Sequence, residues 1–176
     1  MRQFIIISNT VDTSKPLSLN SLTGYGRLDV ICRCINSAFF LSNEFRKNVV
    51  LKVFFRKNGK MLEIQGEKAR GINPDERAIA GVLKRVFKGN NYPGIQFYQN
   101  TLKNVIKNEK PAMLESRGIC STQIVKTKKI FMIGDQLGFP EEENHLFSNL
   151  EKFSLGTCEY LSSQTITIIN YLLDNV

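Results

Sequence analysis

The sequence predicts an α/β fold in which helices flank a mostly parallel sheet. Short runs rich in Val, Ile and Phe alternate along the chain with longer segments in which apolar residues recur every three or four positions. Turn residues such as Gly, Asn and Pro separate most of these segments, and no internal repeat, low-complexity tract or linker interrupts them. We therefore expect all 176 residues to form a single domain.

The N-terminal half is expected to begin the sheet and to carry the first two helices. The predicted elements are a strand over 3–8, a polar loop over 10–26, a helix over 27–42, two strands within 48–66 and a helix over 73–88. The two strands are joined at Asn58–Gly59, a dipeptide that strongly favours a hairpin turn. At the second helix, Asn73 is a candidate N-cap, Pro74 suits the first helical position and Glu76 falls at the capping-box position.

The C-terminal half predicts further strands that alternate with helices. The elements are a strand over 93–99, a helix over 101–108, a strand over 111–116, a buried strand that ends in a glycine-containing turn within 128–139, a short helix over 141–150 and a strand over 152–156. Ser162 or Ser163 is expected to cap a last helix. One face of that helix is apolar and carries Ile166, Ile169, Leu172 and Leu173. Because a small domain cannot cover such a face alone, we expect a two-fold dimer built partly on this helix.

Charge and hydropathy limit the possible partners. The chain carries 24 lysines and arginines against 16 aspartates and glutamates, a formal net charge of +8. An excess of this sign favours a polyanionic partner such as a nucleic acid. No apolar run approaches the roughly 18 residues that a membrane-spanning helix needs, so no membrane partner is expected. The first ten residues predict a strand rather than a signal peptide, which favours a cytoplasmic protein.

The cysteines do not have the spacing of a metal site. A structural zinc site usually contains two close Cys/His pairs, whereas here the one close pair is Cys32 and Cys34, with Cys120 and Cys158 far along the chain. Side chains two residues apart on a helix are separated by about 200° around the helix axis, so this pair cannot readily coordinate one ion. The single histidine, His145, lies in an acidic stretch. The sequence therefore favours small buried thiols and no metal.

Three strands of the C-terminal half end in turns that could hold a ligand, at "AMLES", "FMIGDQLGF" and "FSLGTCEY". In an open α/β sheet, ligands bind beyond the carboxyl ends of the strands, and Gly134, Gly138 and Gly156 let the backbone approach a ligand closely. The pattern is neither G-x-G-x-x-G nor a phosphate-binding loop with its lysine, so dinucleotide and nucleoside triphosphate sites are not predicted. Ordinary connections between strands and helices remain the alternative.

No motif for a nucleophilic residue is present. G-x-S-x-G is absent, and a single histidine without supporting residues does not indicate a Ser-His-Asp triad. The base of an enzyme with this sequence would be a carboxylate, a thiolate or the substrate itself. Group transfer from a reactive donor fits this inventory, because the donor then supplies the driving force.

Several blocks of the sequence resemble one known family. "GYGRLDVICRCINSAFFLS", "FRKNVV", "INPDERAIA", "IFMIGDQLGF" and the tail "SLG…ITIINYLLD" are similar, in the same order, to the archaeal-type tRNA pseudouridine N1-methyltransferases of the SPOUT superfamily. The G-R-L-D-x-x-C-R-C and P-D-E-R blocks are the most specific. The family methylates pseudouridine at position 54 of the tRNA T-loop, so the resemblance implies the same reaction here.

The resemblance also implies a fold, a cofactor and a partner. A deep trefoil knot is expected within about 110–176, with S-adenosylmethionine as the cofactor, tRNA as the substrate and an obligate homodimer as the assembly. By position in the family, the cofactor pocket falls on Leu114, Gly134, Leu155, Gly156, Thr157, Cys158, Glu159, Tyr160 and Thr165. The chain departs from the family at Gln136, where histidine is usual, and at Tyr98–Gln99, where two arginines are usual.

The same resemblance implies catalytic and RNA-binding residues. Arg27 would orient the base or its phosphate through its planar guanidinium, and Asp29 would accept a hydrogen bond from the base N–H that is methylated. Arg33, one turn further along the helix, would steady the RNA backbone. Independently of the resemblance, basic residues from the segments that flank this helix are expected to form the electrostatic contact with RNA, among them Arg46, Lys47, Arg70 and Arg77. Two alternatives remain open: another RNA uridine or pseudouridine as the methyl acceptor, and an RNA-binding dimer without catalytic activity.

Overall fold

The computed structural model describes the backbone of residues 1–120 and 122–175 and the side chains of residues 1–115 and 125–175. Its strands are β1 (Arg2–Ser8), β2 (Val49–Phe55), β3 (Lys60–Gln65), β4 (Ile95–Gln99), β5 (Ala112–Cys120), β6 (Ile130–Gly134) and β7 (Lys152–Ser154). Its helices are α1 (Leu28–Phe39), α2 (Glu76–Phe87), α3 (Leu102–Glu109), α4 (Thr122–Thr127), α5 (Asn144–Phe147) and α6 (Ser162–Asp174), with a 3-10 turn at Glu141–Glu143.

The seven strands form one sheet in the order β4-β3-β2-β1-β6-β5-β7. The pairs β1–β2, β1–β6, β5–β6 and β5–β7 are parallel, whereas β2–β3 and β3–β4 are antiparallel. The predicted α/β fold with a mostly parallel sheet and flanking helices is therefore confirmed. The predicted hairpin at Asn58–Gly59 joins β2 to β3.

The central strand β1 supplies both hydrophobic cores. Its alternate side chains point to opposite faces, as in any strand, so Phe4 and Ile6 join the core beneath α1, α2 and α6. Ile5 and Ile7 join the second core, beneath α3 and α5. The first core is much the larger, because the helices that cover it are longer.

Two predicted helix caps differ from the structure. Helix α2 is capped by Asp75, whose carboxylate accepts a hydrogen bond from the backbone N–H of Ala78 at 2.7 Å, so the cap predicted at Asn73 is wrong. Helix α6 begins at Ser162, and Gln164 instead accepts a hydrogen bond from the Leu161 N–H. Helix α4 was not predicted, and β5 extends beyond the predicted strand.

Helix α6 returns from the edge of the sheet to its centre. It follows the edge strand β7 but packs against α1, and Arg2 at the start of β1 donates hydrogen bonds to the backbone and side-chain oxygens of Asn170 at 3.0 Å. Arg2 also forms an ion pair with Asp174 at 2.8 Å. Within the described residues, no helix is both long and apolar enough to cross a membrane.

Candidate functional site

A cavity of about 420 Å³ lies beyond the carboxyl ends of β6 and β7 and beside Met113, Leu114 and Glu115 of β5. The three strands are parallel, with β5 between the other two, so the turns that follow β6 and β7 lie at the same edge of the sheet. The volume is in the range of small-molecule sites, which span about 300–1,000 Å³. Polar and charged side chains that face the cavity are Glu115, Asp135, Glu141, Asn144, Ser154, Glu159, Ser162 and Thr165.

The structure brings most of the predicted cofactor residues together around this cavity. Those that line it are Leu114, Gly134, Leu155, Cys158, Glu159, Tyr160 and Thr165. Gly156 and Thr157 belong to the same turn after β7 but do not line the cavity. Asp135 and Ser162 line it without having been predicted. A signal for Asp135 was present in the sequence, since it directly follows the last residue of β6.

Two hydroxyl groups from the first turns of α6 stand at the cavity. Ser162 donates a hydrogen bond from Oγ to the carbonyl oxygen of Gly134 at 2.7 Å, which joins the start of α6 to the end of β6. The Oγ1 of Thr165 is buried and has no hydrogen-bond partner among the described residues. Because buried hydroxyl groups are normally hydrogen-bonded, this oxygen is available to a ligand in the cavity.

Glycine is required at Gly134 for the turn rather than for room beside a ligand. A Cβ atom on Gly134 would lie 2.6 Å from backbone atoms of Gly138, closer than real side chains approach a backbone. Gly156 differs, since a Cβ there would contact nothing, although its φ of 135° disfavours other residues. The turn therefore requires glycine at Gly134 whether or not a ligand approaches it, and the close approach of a ligand to Gly134, Gly138 and Gly156 stays a prediction.

The predicted catalytic residues form an ion-pair cluster at the start of α1. Arg27 binds Asp29 through two hydrogen bonds of 3.0 Å, from Nε and Nη2. Arg33, one turn along the helix, donates to Asp29 at 2.7 Å and also contacts Glu76 at 3.4 Å. Arg27 and Asp29 are not among the residues that line the cavity of their own chain.

The backbone of Arg27 is unusual. Its φ of 64° and ψ of 41° place it in the left-handed region, which disfavours residues with a Cβ by roughly 1–2 kcal/mol. The bidentate contact with Asp29 holds the side chain of this strained residue in one orientation. Strain of this kind clusters at functional sites, where the surrounding structure maintains it.

Asp29 is a poor proton acceptor in this arrangement. Burial by itself raises the pKa of its carboxyl, but hydrogen bonds from Arg27 and Arg33 outweigh burial, and the pKa is lowered from its ordinary value. Both oxygens are already paired with guanidinium groups. The geometry therefore supports a role in holding Arg27 rather than the role of a general base.

A second and larger cavity, of about 1,070 Å³, lies between segments 40–48 and 66–74. We refer to it as the basic cleft. Three of the predicted RNA-binding residues, Arg46, Lys47 and Arg70, line it. The other two do not: Arg77 is exposed on α2, and Arg33 belongs to the Asp29 cluster.

Arg46 has a structural partner that the sequence did not reveal. Its two terminal nitrogens contact both carboxylate oxygens of Asp174, at 2.9 and 2.6 Å, and 11% of its side chain is exposed. In this arrangement it anchors the end of α6 and does not offer a free cation to RNA. Lys47 and Arg70 are exposed at the cleft.

Three of the four thiols lie among the described side chains, and they are of two kinds; the side chain of Cys120 lies outside them. Cys32 and Cys34 are buried in α1, and burial raises the pKa of each to about 12, so neither is a reactive thiolate at neutral pH. Cys158 is exposed at the cavity. Within the described residues, no three His, Cys, Asp or Glu side chains are arranged to hold a metal ion.

A pocket beyond the carboxyl ends of parallel strands, closed by a tight glycine turn, is the usual position of a small-molecule site in an α/β protein. Comparison with known proteins identifies the family. Residues 1–176 match the model of the family described as "Putative SAM-dependent RNA methyltransferase", and the chain belongs to this family.

Individual relatives cover the whole chain. The protein named tRNA (pseudouridine(54)-N(1))-methyltransferase from Thermococcus gammatolerans is 34% identical over 100% of this chain and 98% of its own length. The protein of the same name from Thermococcus kodakarensis is 32% identical over the full length of both. The crystal structure of Archaeoglobus fulgidus Nep1 bound to S-adenosylhomocysteine has a TM-score of 0.74 at 13% identity, covering 99% of this chain and 98% of that one, which establishes the likeness of fold.

Proposed function

We propose that this protein transfers a methyl group from S-adenosylmethionine to N1 of pseudouridine at position 54 of tRNA. The observation that carries the proposal is the full-length match to relatives of that name, together with a cavity at the expected edge of the sheet. The resemblance in the sequence and the family model indicate the same chemistry independently of the structure.

The residues around the cavity suit S-adenosylmethionine. Leu114 and Leu155 offer apolar surface for the adenine ring, and the unpartnered hydroxyl of Thr165 offers a hydrogen bond to a polar atom of the cofactor. Glu115, Asp135 and Glu159 surround the cavity with carboxylates, which favour a positively charged ligand such as a sulfonium. The turns beside the cavity contain the remaining predicted cofactor residues, which are Gly134, Gly156, Thr157, Cys158 and Tyr160.

The chemistry requires a positioned acceptor and a route for one proton. When bound, S-adenosylmethionine supplies a sulfonium methyl group; the S–CH₃ bond breaks as the N1–CH₃ bond forms, and S-adenosylhomocysteine is left. Pseudouridine presents N1 as a free N–H because its base is linked to the sugar through carbon. The chain provides the orientation of that base, and proximity of this kind lowers barriers substantially. The N1 proton leaves to water or to a carboxylate within hydrogen-bond reach.

Arg27 is the proposed substrate-contacting residue and Asp29 its positioning partner. The planar guanidinium of Arg27 remains about half exposed while two of its nitrogens bind Asp29, so its outer edge is free to bind a base or a phosphate. This assignment keeps the predicted pair but gives Asp29 the role of holding Arg27, because its lowered pKa disfavours the role of a base.

The proposed path for tRNA follows the basic cleft. Lys47 and Arg70 line it, and Arg77 is exposed on the neighbouring helix α2. Arg33 is half exposed at the Asp29 cluster and lies between Arg27 and α2 through its contact with Glu76. Arg46 is not proposed as a phosphate ligand, because its guanidinium is paired with Asp174.

Four further features belong to the proposal: a single domain, the trefoil knot within about 110–176, the homodimer and a cytoplasmic location. The return of α6 from the sheet edge to Arg2 supports the knot, because the chain must cross back over neighbouring strands. The chain itself buries Ile166 and Ile169, so the expectation that a small domain leaves this face of α6 uncovered is wrong for these two residues. Support for an interface comes instead from exposed Leu137 in the turn 135–138, which we call the cofactor turn, from Leu161 just before α6 and from Tyr171 on α6. The single sheet, which contains strands from both ends of the chain, supports one domain.

Mass spectrometry of tRNA nucleosides tests the function directly. Unmodified tRNA that carries pseudouridine at position 54 is incubated with the protein and S-adenosylmethionine, and a matched tRNA with uridine at that position serves as control. We expect 1-methylpseudouridine in the first tRNA alone. Methylation at another residue would identify a different acceptor. Binding of S-adenosylhomocysteine and tRNA without product would identify a non-catalytic RNA-binding protein.

A further inference from the structure

The end of the central strand β1 is bound to the turn that closes the cofactor cavity. Strands β1 and β6 are parallel neighbours with Ile7 opposite Gly134, so their carboxyl ends meet at one edge. The residue that follows β1 is Asn9. Its backbone N–H donates to Asp135 Oδ2 at 2.6 Å, and its side-chain Nδ2 donates to Asp135 Oδ1 at 2.7 Å.

Asn9 also contacts the other end of that turn. The same Nδ2 donates to the carbonyl oxygen of Gly138 at 2.9 Å, so one carboxamide binds both the first and the last residue of the turn 135–138. On its other side, Asn9 Oδ1 accepts a hydrogen bond from Arg56 at 3.1 Å. Arg56 in turn contacts Glu142 and Glu143, which follow the cavity-lining residue Glu141.

The turn does not need Asn9 in order to form. It is closed internally by the hydrogen bond from Gly138 N–H to the Asp135 carbonyl at 2.9 Å and by that from Leu137 N–H to Asp135 Oδ1 at 3.0 Å. Asn9 instead fixes where the closed turn lies relative to β1. Since Asp135 and Gly138 both line the cavity, this placement sets the shape of the cavity wall.

Thr10, the residue after Asn9, links the cofactor turn to Gly26. Thr10 Oγ1 accepts a hydrogen bond from Gln136 in the turn at 3.0 Å and donates one to the carbonyl oxygen of Gly26 at 2.6 Å. A Cβ on Gly26 would overlap the backbone of Thr10, so the two segments touch directly. Gly26 immediately precedes the strained Arg27. A continuous set of hydrogen bonds therefore runs from the cofactor turn to the start of α1.

Resting on the proposed function, we propose that Asn9 and Thr10 are positioning residues for methyl transfer: Asn9 places the cofactor turn, and Thr10 fixes Arg27 relative to it. Neither residue contacts the cavity directly. Because reacting groups must be aligned closely, a shift of about 1 Å between the two segments is enough to slow transfer substantially.

Asn9→Asp tests the first half of the proposal. The substitution keeps the shape but places a carboxylate oxygen where Nδ2 now donates to Asp135 and Gly138, so the turn is repelled. We expect the affinity for S-adenosylhomocysteine, measured by calorimetry, to fall at least about tenfold, or 1.4 kcal/mol, with KM for S-adenosylmethionine rising in parallel. Asn9→Ala removes the donor without repulsion and should show a smaller loss. Asn90→Asp, an exposed residue after α2, is the control for the change of charge.

Thr10→Val tests the second half. It preserves the size of the side chain and removes both hydrogen bonds, so the cofactor turn stays in place while its link to Gly26 is lost. We expect the affinity for S-adenosylhomocysteine to stay within twofold of wild type and single-turnover methyl transfer to slow by about fivefold or more. Thr10→Ser, which retains the hydroxyl, should restore the rate.

These outcomes separate positioning from folding and from the proposed function. A purely structural role would lower the melting temperature and leave the affinity and rate of the folded fraction unchanged, and that result would overturn the inference. Failure of the wild-type chain to bind S-adenosylhomocysteine or methylate tRNA would instead overturn the proposed function. If the variants do not fold, amide hydrogen exchange of the wild-type protein tests the inference at residues 9 and 136–138. We expect S-adenosylhomocysteine to slow exchange at these residues together. Unchanged exchange would contradict the placement of the turn by Asn9.

Discussion

The cofactor cavity is formed largely by the turns that follow the parallel strands β6 and β7, whereas the basic cleft is formed by two irregular segments that carry Arg46, Lys47 and Arg70. Around the cavity, Gly134, Asp135 and Gly138 are held mainly through backbone groups, both within the turn and from Ile7 and Asn9 at the end of β1. At the cleft, Arg46 is held by an ion pair between its side chain and that of Asp174. The two regions therefore differ in the kind of contact that holds them, backbone at the cavity and charged side chains at the cleft.

This difference explains how each region is expected to respond to mutation. In the cavity, a single added methyl group meets backbone atoms that cannot move independently. At the cleft, a charged side chain can change partners, and each exposed charge contributes little alone. We therefore expect effects at the cavity to be large and local, and effects at the cleft to be small and dependent on salt.

The largest effect is expected for Gly134→Ala. The new Cβ would lie 2.6 Å from the backbone of Gly138, so the turn must open, and Ser162 would lose its well-placed acceptor on the Gly134 carbonyl. We expect the affinity for S-adenosylhomocysteine to fall by about 100-fold or more, which corresponds to roughly 2.7 kcal/mol. Calorimetry with the purified variant measures this loss.

Gly81→Ala provides the matched control for Gly134→Ala. Gly81 lies inside α2, where a Cβ would meet nothing within 4 Å, so alanine should stabilise the helix by about 0.5–1 kcal/mol and leave the affinity unchanged. If Gly134→Ala binds S-adenosylhomocysteine as wild type does, the turn is not a rigid wall of the cavity, and the contrast between the two regions is lost.

An intermediate effect is expected for Asp29→Asn. The variant keeps the shape of the side chain but loses the charge that holds Arg27 and Arg33, so we expect the free energy of unfolding at pH 7 to fall by about 1–2 kcal/mol. Because the pKa of Asp29 is lowered in the folded state, its stabilising contribution is complete above the ordinary pKa of 3.8 and is lost as pH falls below that value.

Thermal melts of both proteins between pH 7 and pH 2.5 measure the contribution of Asp29. The difference in stability between wild type and Asp29→Asn should shrink as the pH falls below 3.8, since protonation removes the same charge from the wild type. A difference that is constant with pH would contradict the ion-pair assignment. Methyl transfer by Asp29→Asn should be slower because Arg27 is no longer held, and Arg27→Lys, which lacks the planar fork, should slow it as well.

The contrast between the two regions also explains what the sequence could predict. The three strand ends that could hold a ligand were predicted from short apolar runs, glycines and the geometry of parallel sheets. The nine cofactor residues were implied by the family resemblance, and seven of them line one cavity. The partner of Arg46 could not be predicted, because Asp174 reaches it only through the packing of α6. The predicted cap at Asn73 is wrong for a local reason, because Asp75, two residues further along the chain, is itself a competent cap.

A smaller effect is expected for Arg46→Ala, and it separates an anchor from a phosphate ligand. If Arg46 anchors α6, Arg46→Ala should lower stability by about 1 kcal/mol. Asp174→Ala should lower it more, because Arg2 also loses its partner, and the double variant should be little worse than Asp174→Ala alone. A loss of about 1 kcal/mol corresponds to a melting temperature lower by about 2–4 °C. If Arg46→Ala is as stable as wild type but binds tRNA more weakly, Arg46 is a phosphate ligand rather than an anchor.

The smallest effect is expected for Lys47→Ala at the rim of the basic cleft. Lys47 is exposed and takes part in no ion pair among the described residues, so its removal should leave the melting temperature unchanged. If Lys47 neutralises one phosphate, the slope of log affinity for tRNA against log salt should become shallower by roughly 0.7–0.9, because one fewer counterion is released.

Lys103→Ala is the matched control, since Lys103 is also exposed but lies on α3, on the opposite face of the sheet. If Lys103→Ala changes the salt slope as much as Lys47→Ala does, the RNA is attracted by the net charge of +8 rather than by the cleft. A change confined to Lys47→Ala would place the phosphate backbone at the cleft, on the same face of the sheet as Arg27.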